Sequence, residues 1–155
     1  MTEPHHAAPV AAPRLEDGIA AVRDHGLRLT SARRLLLEVL YATDEPLSAE
    51  RIAGGLDGRL PSSDLASVYA NLETLERIGL VRHFHAGHGA GLYVRGGGGP
   101  REYLACESCG AVRAVEPGEL DGARREIRRR FGYEARFSHF PIVGLCERCA
   151  GNGGA

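Results

Sequence analysis

Residues 62–95, SSDLASVYANLETLERIGLVRHFHAGHGAGLYVR, decide how the chain is read. The first half opens on a Ser/Asp cap and places Leu65, Val68, Leu72 and Leu75 at helical spacing. Gly79 stands where such a helix ends. The apolar period then changes. LVRHFH and GLYVR read as two strands joined by the glycine-rich turn AGHGA.

Upstream lie further helical patterns. LEDGIAAVRDHG repeats Leu15, Ile19 and Val22 before a stop at Gly26, which makes His25 a residue of the helix C-terminus. LTSARRLLLEVLYAT has Thr30 as N-cap and an apolar face of Leu35, Leu36, Val39 and Leu40. LSAERIAGGL has Ser48 as N-cap and predicts a short helix over 51–56. Helices followed directly by a β-hairpin are the order of a winged helix-turn-helix, whose last helix enters a DNA major groove.

The remaining segments set the boundaries. MTEPHHAAPVAAP, residues 1–13, reads as a disordered Pro/Ala tail that holds His5 and His6. The winged helix is expected over 14–95, and GGGGP at 96–100 as a flexible hinge. Residues 101–155 then form a second domain. REYLAC and AVRAVE alternate as strands, PGELDGARREIRRRFGY is a helix with Leu120, Ile127 and Phe131 on one face, and ARFSHFPIVGLC is a third strand. The predicted fold class is therefore α+β: a winged helix-turn-helix, then a small zinc-clamped α/β dimerisation domain.

That clamp rests on four cysteines in two pairs, CESC (Cys106, Cys109) and CERC (Cys146, Cys149). A chain of 155 residues with 43% hydrophobic and 25% charged residues, no membrane-length apolar run and no secretory-type leader reads as globular, soluble and cytoplasmic. Disulfides are disfavoured there, so paired CxxC turns point to tetrahedral zinc, with two redox dithiols as the alternative. Four cysteines leave no open ligand position, which makes the zinc structural. A small sheet with one helix buries little core by itself, so metal and a partner subunit are expected to complete it.

Net charge is −1, which does not advertise nucleic acid, although all 19 basic residues are arginine. Arginine suits bidentate phosphate contacts, but a GC-rich coding bias is the simpler explanation of the composition. No nucleophile motif or placed general base is present, so the chain does not read as an enzyme.

His83 and His85 stand two apart on a strand and therefore share a face. Neutral imidazoles suit nickel, zinc, copper or iron. Two are too few to hold a metal tightly, and His139 is the only histidine of the second domain. His88, in the turn, is either a further ligand or a solvated residue. The alternative for the pair is contact with DNA phosphate from the wing.

GLRLTSARRLLLEVL, DLASVYANLETLERIGLV, LACESCGAV and GLCERC together resemble the ferric uptake regulator family of metal-responsive repressors. RHFHAGHGAGLYV and FSHFPIVGLC look most like the nickel-uptake regulators of actinobacteria. The resemblance implies a homodimer on a palindromic operator, with Cys106, Cys109, Cys146 and Cys149 on structural zinc. It implies a regulatory nickel or zinc on His83, His85 and His139. It also places Ser67 and Tyr69 at DNA, beside Asn71 on the same helix. Arg33, Arg34 and Arg82 are the expected phosphate contacts.

Two departures stand out. The family's histidine run before the first CxxC is replaced by GGGGPREYLAC, which leaves Glu102, with Glu119 and Asp121 further on, as the carboxylates for any second regulatory site. Ala70 follows the helix tyrosine where the family places arginine. Two other functions remain open: a peroxide sensor of the same family, against which the poverty of carboxylates near the histidines speaks, and a metal-buffering protein that has lost DNA binding.

Overall fold

The computed structural model describes residues 7–85, 91–97, 102–116, 118–137 and 141–151. Its elements are α1 (Leu15–Asp24), α2 (Ser31–Tyr41), β1 (Leu47–Ser48), α3 (Ala49–Ala53), α4 (Gly55–Gly58), α5 (Leu65–Arg77), β2 (Val81–His85), β3 (Gly91–Arg95), β4 (Glu102–Cys106), β5 (Val112–Val115), α6 (Asp121–Phe131), β6 (Ile142–Gly144) and α7 (Glu147–Gly151). They fall into two compact units, Met1–His83 with Gly91–Gly99, and Phe84–Ala90 with Pro100–Ala155. Strand β2 is shared: His83 belongs to the first unit, Phe84 and His85 to the second.

The first unit holds a continuous apolar core. Val22 of α1, Leu36, Leu37, Val39 and Leu40 of α2, Ile52 of α3, and Val68, Leu72 and Leu75 of α5 are buried in it. The α2 stripe holds the expected Leu36, Val39 and Leu40, with Leu37 fully buried beside them and Leu35 only partly. The expected caps form. Thr30 Oγ1 accepts from Arg33 N, Ser48 Oγ from Arg51 N, and Asp64 from Ser67 N at 2.9 Å. His25 caps α1, its Nδ1 2.8 Å from the Ala21 carbonyl. The helix expected over 51–56 instead runs Ala49–Ala53 and breaks at Gly55, after which Leu56 and Asp57 take left-handed conformations. A strand too short for the sequence pattern to show, β1, pairs antiparallel with β3 through Leu47↔Tyr93 and Ser48↔Leu92, giving the order β1-β3-β2.

Two segments expected to be flexible are seated on this unit where they are described. Val10 N donates to Gly79 O at 3.0 Å, Ala12 is buried, and Tyr41 Oη donates to Ala12 O at 2.8 Å. Residues 7–13 are therefore not a loose tail. Of the glycine run, Gly96 N donates to Leu80 O, and a Cβ on Gly97 would collide with the Val10 carbonyl. These glycines permit close backbone approach as much as rotation. Residues 98–100 of the expected hinge, and His5 and His6, lie outside the described residues.

The second unit is a three-stranded mixed sheet of order β5-β4-β6, with β4 antiparallel to β5 and parallel to β6. Of ARFSHFPIVGLC, the described residues 135–137 are irregular and 142–144 form β6, while 138–140 lie outside the described residues. Helix α6 buries none of its side chains, and Phe131, expected on its packed face, is 72% exposed.

Candidate metal centre and nucleic-acid interface

Strand pairing brings the two CxxC turns together. In the parallel β4/β6 ladder Cys106 sits opposite Gly144, and Glu107 N donates to Gly144 O at 2.9 Å. The first turn closes through Gly110 N to Cys106 O, with Gly110 at φ +72°, a left-handed position that glycine adopts without strain. The second closes through Ala150 N to Cys146 O at the start of α7. The four Sγ atoms all lie within 4.8 Å of one another, and the cysteines are not disulfide-bonded. Cys109 Sγ and Cys146 Sγ are 3.8 Å apart. Tetrahedral thiolates about 2.3 Å from zinc lie at about that sulfur–sulfur separation, so the donor set fits a closed zinc site.

The electrostatics agree with that geometry. Backbone N–H groups of Cys109 and Cys146 aim at Cys106 Sγ, the latter from 3.4 Å, and pull its thiol down to about 6. The Ala111 N–H lowers Cys109. A hydrogen bond with Ser108 favours the Cys149 thiolate, but the sulfurs of Cys146, Cys109 and Cys106 together with burial push it up to about 11. Crowded sulfurs cannot all ionise unaided, and a divalent cation removes that conflict. Arg148, hydrogen-bonded to Cys109 and acted on by the sulfurs of Cys109, Cys146 and Cys149, is held above its usual value and adds positive charge at the rim.

The expected histidine site is only partly described. Along β2, Val81 and Phe84 are buried while His83 and His85, two residues apart, are exposed. Phe84 meets Tyr103 of β4, ring centroids 5.3 Å apart. His88 and His139 lie outside the described residues. A carboxylate that sequence reasoning missed stands against His83. Glu76 Oε1, on the last turn of α5, is 2.5 Å from His83 Nδ1 and 3.3 Å from His83 N. The expectation that carboxylates are scarce around the histidines is thus corrected. The signal was the Gly79 reversal, which folds the strand after the helix back beside its last turn.

The carboxylates before and after the first CxxC are committed elsewhere. Glu102 is buried, 7% exposed, and ion-paired with Arg124 of α6, whose Nη1 also donates to Asp121 at 2.9 Å. Glu119 accepts from Glu116 N at 2.8 Å. Among the described residues only the four cysteines form a cluster able to hold a metal, so Glu102, Glu119 and Asp121 do not assemble a second site there.

On α5, Tyr69 is 44% exposed and its hydroxyl donates to Glu50 of α3 at 3.2 Å; burial and then Glu50 push the phenol up. Ala70 is exposed beside it. Asn71 is half-buried and structural in its bonding. It donates to Ser67 O and Ser67 Oγ and accepts from Arg33 Nε at 3.1 Å, which ties α5 to α2. Arg33 also donates to Arg28 O. Arg34 is exposed and paired with Glu38, and Arg82 is half-buried on β2.

A winged helix followed by a module closed on four cysteines defines a class of metal-dependent DNA-binding regulators. Residues 24–140 match the ferric uptake regulator family, and the chain belongs to it. Among its relatives, the peroxide-responsive repressor of Staphylococcus saprophyticus is 26% identical over 88% of this chain and 91% of its own. The peroxide operon regulator of Bacillus subtilis is 25% identical over 91% and 97%. The fold is that of the Helicobacter pylori ferric uptake regulator, with TM-score 0.67, 19% identity and 91% and 97% of the two chains covered. The Vibrio cholerae ferric uptake regulator superposes with TM-score 0.63 at 26% identity, covering 82% and 98%.

Proposed function

We propose that this regulator is a dimeric repressor that binds a palindromic operator when nickel, or zinc, occupies a site made by His83, His85 and His139, with His88 as a further ligand. The observation that carries the reading is the exposed His83/His85 pair on the strand that follows the DNA-reading helix, where an occupant can act on α5. Nothing in the cysteine site does this, since its four donors are saturated by one structural zinc. Tyr69 and Ser67 read bases, and Arg34 and Arg82 contact phosphate, while Arg33 and Asn71 brace α5 against α2. The dimer is supported by Phe131, Tyr133, Val143 and Leu145, large apolar residues exposed on the second unit, which a second copy would cover. No described helix is long and apolar enough to cross a membrane, and we place the protein in the cytoplasm with its DNA.

A peroxide-sensing role is the second reading. The Glu76 carboxylate beside His83 and the peroxide-responsive relatives favour it. One experiment separates the two. Operator binding is measured with nickel, zinc or iron, before and after peroxide, and His83 and His85 are checked by mass spectrometry. Nickel- or zinc-dependent binding that survives peroxide supports the metal sensor. Iron-dependent binding lost with an added oxygen on a histidine supports the peroxide sensor. Metal binding without DNA binding would leave the buffering role.

A further inference from the structure

Glu76 sits at the junction of the DNA-reading helix and the wing, and its carboxylate makes two contacts with one residue. Its Oε1 is 2.5 Å from His83 Nδ1 and 3.3 Å from the His83 backbone N. A carboxylate only accepts hydrogen bonds, so Nδ1 carries the proton. The ring nitrogen then left to bind a metal is Nε2. The imidazole is held from its flank as well, since the Tyr93 ring lies 5.7 Å away at a tilt of 37°. Glu76 is itself carried on a stiff element: Leu72 and Leu75 on the same helix are fully buried, and Tyr69 stands two turns earlier.

We infer that Glu76 is a positioning residue for the regulatory metal, fixing the His83 tautomer and linking metal occupancy at Nε2 to helix α5. The inference rests on the proposed His83 site and deepens it. A metal on Nε2 withdraws electron density from the ring and makes Nδ1–H a better donor. The bond to Glu76 then strengthens, and the wing is drawn more firmly onto the last turn of α5. Carboxylate–imidazole–metal chains tune ligands in this way, and loss of the outer partner costs about 10- to 100-fold in metal affinity. Glu76 thus joins sensing and reading within one unit of the chain.

The test uses the full-length, zinc-loaded protein and nickel(II), titrated against a competing chelator, with operator binding measured in parallel. Retained cysteine-bound zinc and an unchanged helical circular dichroism spectrum verify the fold of each variant. Glu76→Ala should weaken nickel binding about 10- to 100-fold at unchanged stoichiometry. At saturating nickel it should also show a smaller metal-induced gain in operator affinity, which a merely structural role would leave intact. Glu76→Gln should lie within a few-fold of wild type, because its amide oxygen still accepts from Nδ1–H. Wild-type nickel affinity and coupling in Glu76→Ala would overturn the inference. So would complete loss of the nickel equivalent in both variants, which would make Glu76 a direct ligand. His83→Ala separates the two levels. If it removes the exchangeable nickel while Glu76→Ala changes nothing, the positioning role alone fails. If it leaves nickel binding intact, the histidine site fails and the inference with it.

Discussion

The two units of this chain are stabilised in opposite ways. In the first, core leucines, isoleucine and valines from α1, α2, α3 and α5 meet in one cluster, and Leu37, Ile52, Leu72 and Leu75 are fully buried. In the second, the buried apolar residues among those described are few, Phe84, Tyr103, Ala105, Cys106 and Val115, and α6 buries none of its side chains. Where the first has hydrocarbon, the second has sulfur and an ion pair: the four-cysteine cluster at one end of β4 and Glu102–Arg124 at the other. We read the first unit as folding on its own core, and the second as needing a metal and a neighbour to cover Phe131, Tyr133, Val143 and Leu145, which are exposed.

The sharpest way to break this contrast is to remove the zinc. Cys106→Ser or Cys149→Ser should unfold the second unit and dissociate the dimer while the first keeps its amide protection, as read by hydrogen exchange. A zinc-free variant with full protection in both units would refute it. The binding also has a pH signature. In the metal-free site Cys149 keeps its proton up to about 11, whereas Cys106 loses its own above about 6. Zinc uptake at neutral pH should therefore release protons and weaken as pH falls through the Cys106 value. Calorimetry in buffers of different ionisation enthalpy measures this.

Truncation of the two cores compares hydrocarbon with charge. Leu72→Ala should cost the first unit about 2–5 kcal/mol, by lost burial and a cavity. Arg124→Ala should cost the second about 3–5 kcal/mol, because Glu102 would be left buried and unpaired. Denaturant titration with a probe in each unit should show each variant lowering one transition more than the other. At the DNA, Arg34→Ala should weaken binding at every sequence and flatten the salt dependence by about one unit of slope, and Tyr69→Ala should erode base preference. The smallest effect is expected from Asp64→Ala, the cap of α5, at about 0.5–2 kcal/mol.

Legibility in the sequence follows the same division. The helices of the first unit were readable because a one-sided core imposes a period, and Thr30, Ser48 and Asp64 cap where short polar residues should. The four cysteines were readable because metal geometry fixes their spacing. What escaped was decided by contacts between distant segments. Glycines 96 and 97 looked like a hinge, yet Gly97 lies against the Val10 carbonyl of a segment that looked disordered. The α6 pattern promised a packed Phe131, yet among the described residues it stays 72% exposed. Glu76 and Arg124 carry no motif; only the fold shows that one meets His83 and the other neutralises Glu102.

We propose that the chain holds two metals with different tasks, a clamp on cysteine and a switch on histidine. Metal content after chelator treatment, counted per chain by native mass spectrometry and paired with an operator gel shift, tests it most directly. Wild type should keep a chelator-resistant zinc, regain one exchangeable nickel or zinc, and bind operator only when that second site is filled. His85→Ala and His139→Ala should keep the zinc, lose the exchangeable equivalent and fail to respond to metal. Equal exchangeable metal and equal operator binding in wild type and both variants would contradict the account and return His83 and His85 to being residues of a DNA-binding wing.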